Sequence, residues 1–244
     1  MTDSPTFEFT VEADTLDSRL LVGFASPGMP SLVAVDHLVS TDGAEQVGHA
    51  TVRNLPAVTP FTEGRPRRPT RIYRLDGGLT VVLCEVFLPV GVGEALADGV
   101  LELAEEYGVE EVTTLYGVPY PHGPDEHAVF SVATDAYPQD RLEAAGVTPL
   151  KGGFLDGFPG QLLAHGLDAG APAVGTLVTP AHPPGPDFDG ALLLLEAVAG
   201  AYDLTVDTEE LQERSEEVRR YYQEMADRME TVSDTDRMED RMYM

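Results

Sequence analysis

The sequence predicts a three-layer α/β domain built around a mixed sheet, and three kinds of pattern support this fold class. Continuous apolar runs that stop at glycine or proline, such as Arg19 to Ser26, are typical of strands buried on both faces. Apolar residues at helical spacing follow several of these runs, so strands and helices alternate. Two β-type runs are separated by Asp76-Gly77-Gly78, which indicates a hairpin within the same sheet.

The elements follow one another along the chain with recognisable boundaries. After the first strand, helical spacing predicts a helix that ends near Asp42-Gly43, and a second strand falls within residues 45–56. The hairpin occupies 71–89, and an amphipathic helix at 94–107 is stopped by Gly108. The remaining predicted elements are strands at 110–118 and 127–134, a short helix at 139–146, a helix at 158–170, a strand at 173–180 and a helix at 188–202.

The chain is organised as one domain with a C-terminal extension. We expect a single α/β domain over 1–205, a C-terminal amphipathic helix over 206–232 and a flexible tail over 233–244. The helix carries one apolar stripe at i, i+4, i+7 spacing, which must pack on the domain or on a second subunit. The stripe consists of Leu211, Ser215, Val218, Tyr222, Met225, Met229 and Val232.

The charge of the chain is strongly acidic, with 42 acidic against 15 basic residues and a formal net charge of -27. Such an excess argues against nucleic acid or an anionic membrane as the main partner, because both carry negative charge. We interpret it as an adaptation to high salt, where screening makes self-repulsion tolerable. On this halophilic interpretation the charge says little about function.

Cysteine content and hydropathy indicate the compartment. Cys84 is the one cysteine, so no internal disulfide can form, and its apolar surroundings indicate a small buried hydrophobe rather than a nucleophile. The first residues lack the basic and apolar regions of a signal peptide, and no apolar run approaches the length of a membrane span. We therefore expect a cytoplasmic protein.

The histidines do not predict a metal centre. His122, Asp125, Glu126 and His127 lie within six residues, but their spacing matches no standard zinc pattern. The other histidines are scattered along the sequence. We expect no metal and no cofactor.

Two further segments are candidates for binding. The loop from Gly152 to Gly160 precedes a helix and contains Lys151 beside it, so it could cradle an anion, although it lacks both the P-loop and the dinucleotide-fold patterns. An arginine cluster either seats an acidic partner surface or, as we favour, pairs with the protein's own carboxylates. The cluster consists of Arg53, Arg65, Arg67, Arg68, Arg71 and Arg74. No enzyme signature is present, and we expect a protein that is not an enzyme.

The C-terminus ends on apolar and aromatic residues although the tail before it is polar and charged. Met242, Tyr243 and Met244 resemble the hydrophobic–tyrosine–any ending that proteasome activators and assembly factors insert between subunits of the 20S α-ring. Tyr243 would supply a rigid ring with a hydrogen-bonding tip, and Met242 would fill an adjacent apolar gap. The terminal carboxylate of Met244 can meet a lysine.

Three longer stretches resemble the archaeal proteasome assembly chaperone family, in this order: residues 20–39, 71–118 and 152–180. The resemblance covers roughly residues 15 to 232. It implies an α/β fold similar to purine nucleoside phosphorylases, without their catalytic residues, in a homo-oligomeric chaperone that binds proteasome α-subunits. Only Met242, Tyr243 and Met244 match a functional motif of the family residue by residue.

The leading interpretation is a non-enzymatic assembly chaperone or adaptor that docks its C-terminal tail into 20S α-ring pockets. One alternative is an enzyme on a nucleoside-phosphorylase-like scaffold that uses the Gly152–Gly160 loop for phosphate or nucleotide. Another is that Met242, Tyr243 and Met244 pack against the protein's own domain as a staple.

Overall fold

The computed structural model describes residues 4–40, 43–89, 91–120, 127–182 and 185–221. The chain divides into two compact units, Met1–Asp207 and Thr208–Met244. The strands of the first unit are β1 (Thr6–Val11), β2 (Arg19–Ala25), β3 (Glu45–Arg53), β4 (Phe61–Thr62), β5 (Arg65–Pro66), β6 (Thr70–Leu75), β7 (Leu79–Phe87), β8 (Glu111–Pro119), β9 (Phe130–Ala133), β10 (Thr148–Pro149) and β11 (Ala173–Ala181). Its helices are α1 (Pro30–Ser40), α2 (Gly93–Tyr107), α3 (Gln139–Ala144), α4 (Gly157–His165) and α5 (Phe188–Tyr202).

Nine of the strands form one mixed sheet in the order β1-β3-β6-β7-β2-β8-β11-β9-β10. The four central strands β7, β2, β8 and β11 are parallel to one another. Antiparallel pairs flank them, with β6 against β7 on one side and β9 against β11 on the other. The predicted mixed sheet is confirmed, and the parallel centre explains the continuous apolar runs of its strands.

Helices cover both faces of this sheet. Because successive side chains of a strand point to opposite faces, β2 contacts helices on both faces of the sheet. Gly23 lies against Val35 of α1, whereas the ring of the next residue, Phe24, contacts Phe158 of α4. Helix α1 packs with α5, and α2 packs with α4. The predicted α/β fold with helices on both sides of the sheet is therefore confirmed, while the comparison with nucleoside phosphorylases stays a prediction.

Local signals explain several element boundaries. The hairpin between β6 and β7 turns through Gly77 and Gly78, which have φ of 96° and 77°. Helix α2 ends at Gly108, whose left-handed conformation and backbone bond to the carbonyl of Ala104 form a C-cap. Cys84 in β7 is fully buried, as predicted, and burial raises the pKa of its thiol to about 11.

Some predicted boundaries are wrong. The helix predicted at 158–170 ends at His165, because glycines at 166 and 170 are poor helix formers and Gly166 packs closely on Val174. The strand β1 has no counterpart among the predicted elements, although Phe7, Phe9 and Val11 alternate with polar residues. Two-residue strands β4 and β5 form a small hairpin inside the arginine-rich segment, at residues for which the sequence predicts no element.

The close approach of β2 and α1 leads to a stability prediction. A methyl group at position 23 would lie 2.5 Å from Cβ of Val35, so Gly23→Ala must push α1 away from the sheet. We expect this change to lower the free energy of unfolding by about 1–3 kcal/mol, measured by urea denaturation at fixed salt. Gly152→Ala is the matched control, because a methyl group there meets nothing within 4 Å. Equal stability of the two variants would contradict the packing described for β2 and α1.

In the second unit, the structure describes a helix over residues 209–221. Leu211 and Ser215 of the predicted stripe are buried and Val218 is half-buried. The stripe residues Tyr222, Met225, Met229 and Val232, and the predicted tail at 233–244, lie outside the described residues.

Candidate functional site

The site predicted from the sequence lies at the C-terminus. Met242, Tyr243 and Met244 are outside the described residues, so their role stays a prediction. The body of the protein contains four other features to weigh as sites. These are the Gly152–Gly160 loop, the arginine cluster, a buried polar network and a histidine cluster.

The Gly152–Gly160 loop offers little to hold a phosphate. Its residues from Lys151 to Phe154 are exposed, and a methyl group on Gly152 or Gly153 would meet nothing within 4 Å. The N-cap of the helix that follows is Asp156, a carboxylate that repels an anion at the position where one would bind. This geometry does not form an anion cradle.

The arginine cluster is largely engaged with the protein's own carboxylates, as favoured from the sequence. Arg53 donates two hydrogen bonds to Glu8, at 2.8 and 3.0 Å, and these lower the pKa of that carboxyl. Arg67 and Arg71 both pair with Glu85, with nitrogen–oxygen distances of 2.5 and 2.8 Å, and Arg74 lies 3.8 Å from a carboxylate oxygen of Asp17.

The other two arginines of the cluster, Arg65 and Arg68, are exposed and pair with no carboxylate among the described residues. Arg68 borders a groove of about 440 Å³ between β3, the segment 55–59 and residues 66–69. Val58 in its lining is exposed, and so are Phe61, three residues after Val58, and Phe87, which follows the lining residue Val86. Apolar side chains with arginine at the edge are typical of protein-contact surfaces.

A buried polar network lies at the amino-terminal end of β8. Glu111 accepts a hydrogen bond of 2.7 Å from the hydroxyl of Tyr202 and another from Arg141. The Arg141 guanidinium lies over the Tyr202 ring, 4.8 Å from its centre, and Thr113 bonds the hydroxyls of Tyr137 and Tyr202 at 2.6 Å. Burial raises the pKa of Tyr202 well above its usual value. Ligands of open α/β sheets bind at the opposite, carboxyl edge, so we assign this network to stability.

A histidine cluster lies at that carboxyl edge. His182 follows the end of β11, His127 precedes β9, and Asp187 is the N-cap of α5. One potential ligand atom from each of the three lies within 4.8 Å of the other two. The sequence grouped His127 with His122, Asp125 and Glu126, which lie outside the described residues.

Sequence reasoning missed this cluster because its members are far apart in the chain. Strands β9 and β11 are antiparallel neighbours, which brings the residues before β9 beside those after β11. The one sequence feature that could have indicated the cluster was the position of His182 just past a predicted strand and of Asp187 just before a predicted helix.

Elsewhere in the fold, none of the helices that the structure describes is long and apolar enough to cross a bilayer.

Comparison with known proteins gives a family and a set of similar structures. The sequence model of the PAC2 family matches residues 20–226. The structure is similar to that of Pyrococcus furiosus PbaA, an archaeal homolog of proteasome-assembly chaperone, with TM-score 0.78, 22% identity and coverage of 97% of this chain and 100% of that one. No curated protein matches the chain.

Two other solved structures share the fold. Pyrococcus furiosus PbaB, an archaeal proteasome activator, gives TM-score 0.76 and 21% identity over 93% of this chain and 100% of that one. A protein of unknown function from Thermoplasma acidophilum gives TM-score 0.72 and 25% identity over 92% of both chains. Because the family match spans most of the sequence and the same fold recurs in these proteins, the chain belongs to the PAC2 family.

Proposed function

We propose that this protein is a non-enzymatic proteasome assembly chaperone or adaptor. In this proposal Met242, Tyr243 and Met244 dock into pockets of the 20S α-ring, and the 20S α-subunits are the partners. The observation that carries it is membership of the PAC2 family in a chain with a hydrophobic–tyrosine–any C-terminus. Neither nucleic acid nor a membrane takes part in the proposed activity.

Two features of the relatives and of the surface support the proposal. PbaA is a homolog of proteasome-assembly chaperone and PbaB is a proteasome activator, and both share the fold of this chain over nearly its whole length. The groove beside Arg68, with exposed Val58 at its lining, is suited to contact with another protein rather than to chemistry on a small molecule.

The side chains at the C-terminus are suited to binding in a pocket of a partner protein. A tyrosine buries a large rigid ring at little entropic cost and keeps a hydroxyl for hydrogen bonding. A methionine adapts to an irregular apolar gap, and a free carboxylate can pair with a lysine. We further propose that the protein is a homo-oligomer, because several tails on one assembly would raise affinity through effective concentration. We also propose that it is cytoplasmic and that its net charge of -27 is an adaptation to high salt.

The test is binding of the intact protein and of Tyr243→Ala to purified 20S particles and to free α-subunits. We expect Tyr243→Ala to weaken binding at least about tenfold, because an aromatic anchor in a pocket typically contributes 2 kcal/mol or more. A chain that ends at Glu239 should behave in the same way. Met238→Ala is the matched control, since it removes an apolar side chain from the same tail without touching the motif.

Two results would contradict the proposal. If Tyr243→Ala binds as well as the intact protein, the tail is not the anchor. If the intact protein binds neither partner while the chain ending at Glu239 unfolds more easily, Met242, Tyr243 and Met244 are a staple for their own domain. The enzymatic alternative has no support from the Gly152–Gly160 loop, where Asp156 occupies the N-cap of α4.

A further inference from the structure

We propose that His127 and His182, with Asp187 behind His182, form a binding site for one divalent transition-metal ion of the zinc class. This differs from the sequence-based expectation of no metal, and it does not depend on the proteasome proposal. The three residues are the one group of potential metal ligands of this kind within the described residues.

The separation of the two rings is suited to a shared ion. The ring centres of His127 and His182 are 5.2 Å apart, and their planes are nearly perpendicular at 87°. Two imidazoles bound to one tetrahedral zinc, with zinc–nitrogen bonds of about 2.0–2.1 Å, have ring centres about 5 Å apart. The separation of the two ring centres therefore matches that expected for a shared ion.

Hydrogen bonds to the surroundings set the tautomer of each ring. Nε2 of His127 lies 3.0 Å from the carbonyl oxygen of Pro180, which can only accept, so Nε2 donates and Nδ1 carries the lone pair. Nδ1 of His182 lies 2.9 Å from Oδ2 of Asp187, so it donates to the carboxylate and Nε2 carries the lone pair. Metal-binding histidines almost always donate their second ring nitrogen to a carbonyl or a carboxylate in this way.

Asp187 is itself fixed in place by the backbone. Its Oδ1 accepts from the backbone nitrogen of Gly190 at 2.8 Å, and its Oδ2 accepts from the backbone nitrogen of His182 at 2.7 Å. Its own backbone nitrogen donates to the carbonyl of Gly28 at 2.7 Å. The side chain of Asp187 is 3% exposed, whereas that of His182 is 58% exposed. A buried carboxylate thus orients a histidine that solvent and ions can reach.

The position of the cluster in the fold supports the same inference. It lies outside the carboxyl ends of the parallel strands, where ligands of open α/β sheets bind. Water would complete the coordination on the exposed side of His182. Bound there, the ion would connect the segment before β9, the end of β11 and the start of α5.

The test is a zinc titration of the full, tag-free chain by calorimetry, with excess Mg²⁺ present throughout. Mg²⁺ competes for the many surface carboxylates but is a poor match for imidazole, so it suppresses zinc binding that depends on acidity alone. We expect one zinc ion per chain, and a Co²⁺ spectrum typical of tetrahedral coordination. His127→Gln and His182→Gln should each lower zinc affinity at least about tenfold, and Asp187→Asn should lower it about 10–100-fold.

His165→Gln is the matched control, because His165 is a half-buried histidine on α4 away from the cluster. It should leave zinc affinity unchanged. Because Asp187 also caps α5, its variant is judged together with the two histidine variants, which remove no cap. Absence of zinc binding in Mg²⁺, or unchanged affinity in His127→Gln and His182→Gln, would overturn the proposal.

Discussion

Phe158→Ala is expected to lower the free energy of unfolding by about 3–5 kcal/mol, the range for removing a buried aromatic ring. Phe158 is 2% exposed and belongs to a hydrophobic core cluster together with Leu96 of α2. Its ring meets Phe24 edge-on, with centres 5.0 Å apart. The change therefore leaves a cavity where α4, α2 and β2 meet, and urea denaturation at fixed salt measures the loss.

Phe154→Ala is the matched control for this prediction. Phe154 lies four residues earlier and is fully exposed, so its removal should change stability by no more than about 0.5 kcal/mol. Phe158→Leu keeps part of the buried volume and gives a measurable intermediate loss if the alanine variant does not fold. If Phe154→Ala and Phe158→Ala unfold alike, α4 does not pack on the sheet as the structure describes.

Local sequence patterns were sufficient to predict the core strands and one of the helices. The core strands were predictable because burial on both faces requires continuous apolar runs, as in β2 and β7. Helix α2 was predictable because its buried residues Leu96, Val100 and Leu103 recur at helical spacing. In both cases the information lies within a short window of residues.

Pairings between distant residues have no such local signal. β2 lies between β7 and β8, but all three strands are buried on both faces, so nothing within any one strand specifies its neighbour. His127 and His182 meet only because β9 runs antiparallel to β11. Edge strand β1 was missed because its six residues are half-polar and look like an exposed terminus.

The buried polar network could not be predicted from the sequence for the same reason, because its members are far apart in the chain. Glu111, Arg141 and Tyr202 each look unremarkable in the sequence, and a surface ion pair would be the default interpretation of the two charged residues. The fold places them together at the start of β8, α3 and the end of α5. The hydrogen bond between Glu111 and Tyr202 spans 91 residues of sequence.

Glu111→Gln is expected to lower the free energy of unfolding by about 2–4 kcal/mol. The glutamine keeps the size of the side chain but leaves the guanidinium of Arg141 without its counter-charge, and breaking a buried pair in this way costs about 3–5 kcal/mol. The loss is smaller here because Arg141 keeps 22% of its side chain exposed, against 9% for Glu111. Glu110→Gln is the matched control, because that neighbouring side chain is exposed.

A double-mutant cycle with Arg141→Met separates the ion pair from other effects of the substitution. Removing both partners leaves no uncompensated charge, and the methionine can still pack on the rings of Tyr137 and Tyr202, which Arg141 covers in the native protein. The double variant should therefore lose less stability than the sum of the two single variants, with a coupling of about 1–3 kcal/mol. Strict additivity across the four unfolding curves would mean that Glu111 and Arg141 do not interact, and the assignment of this network to stability would be wrong.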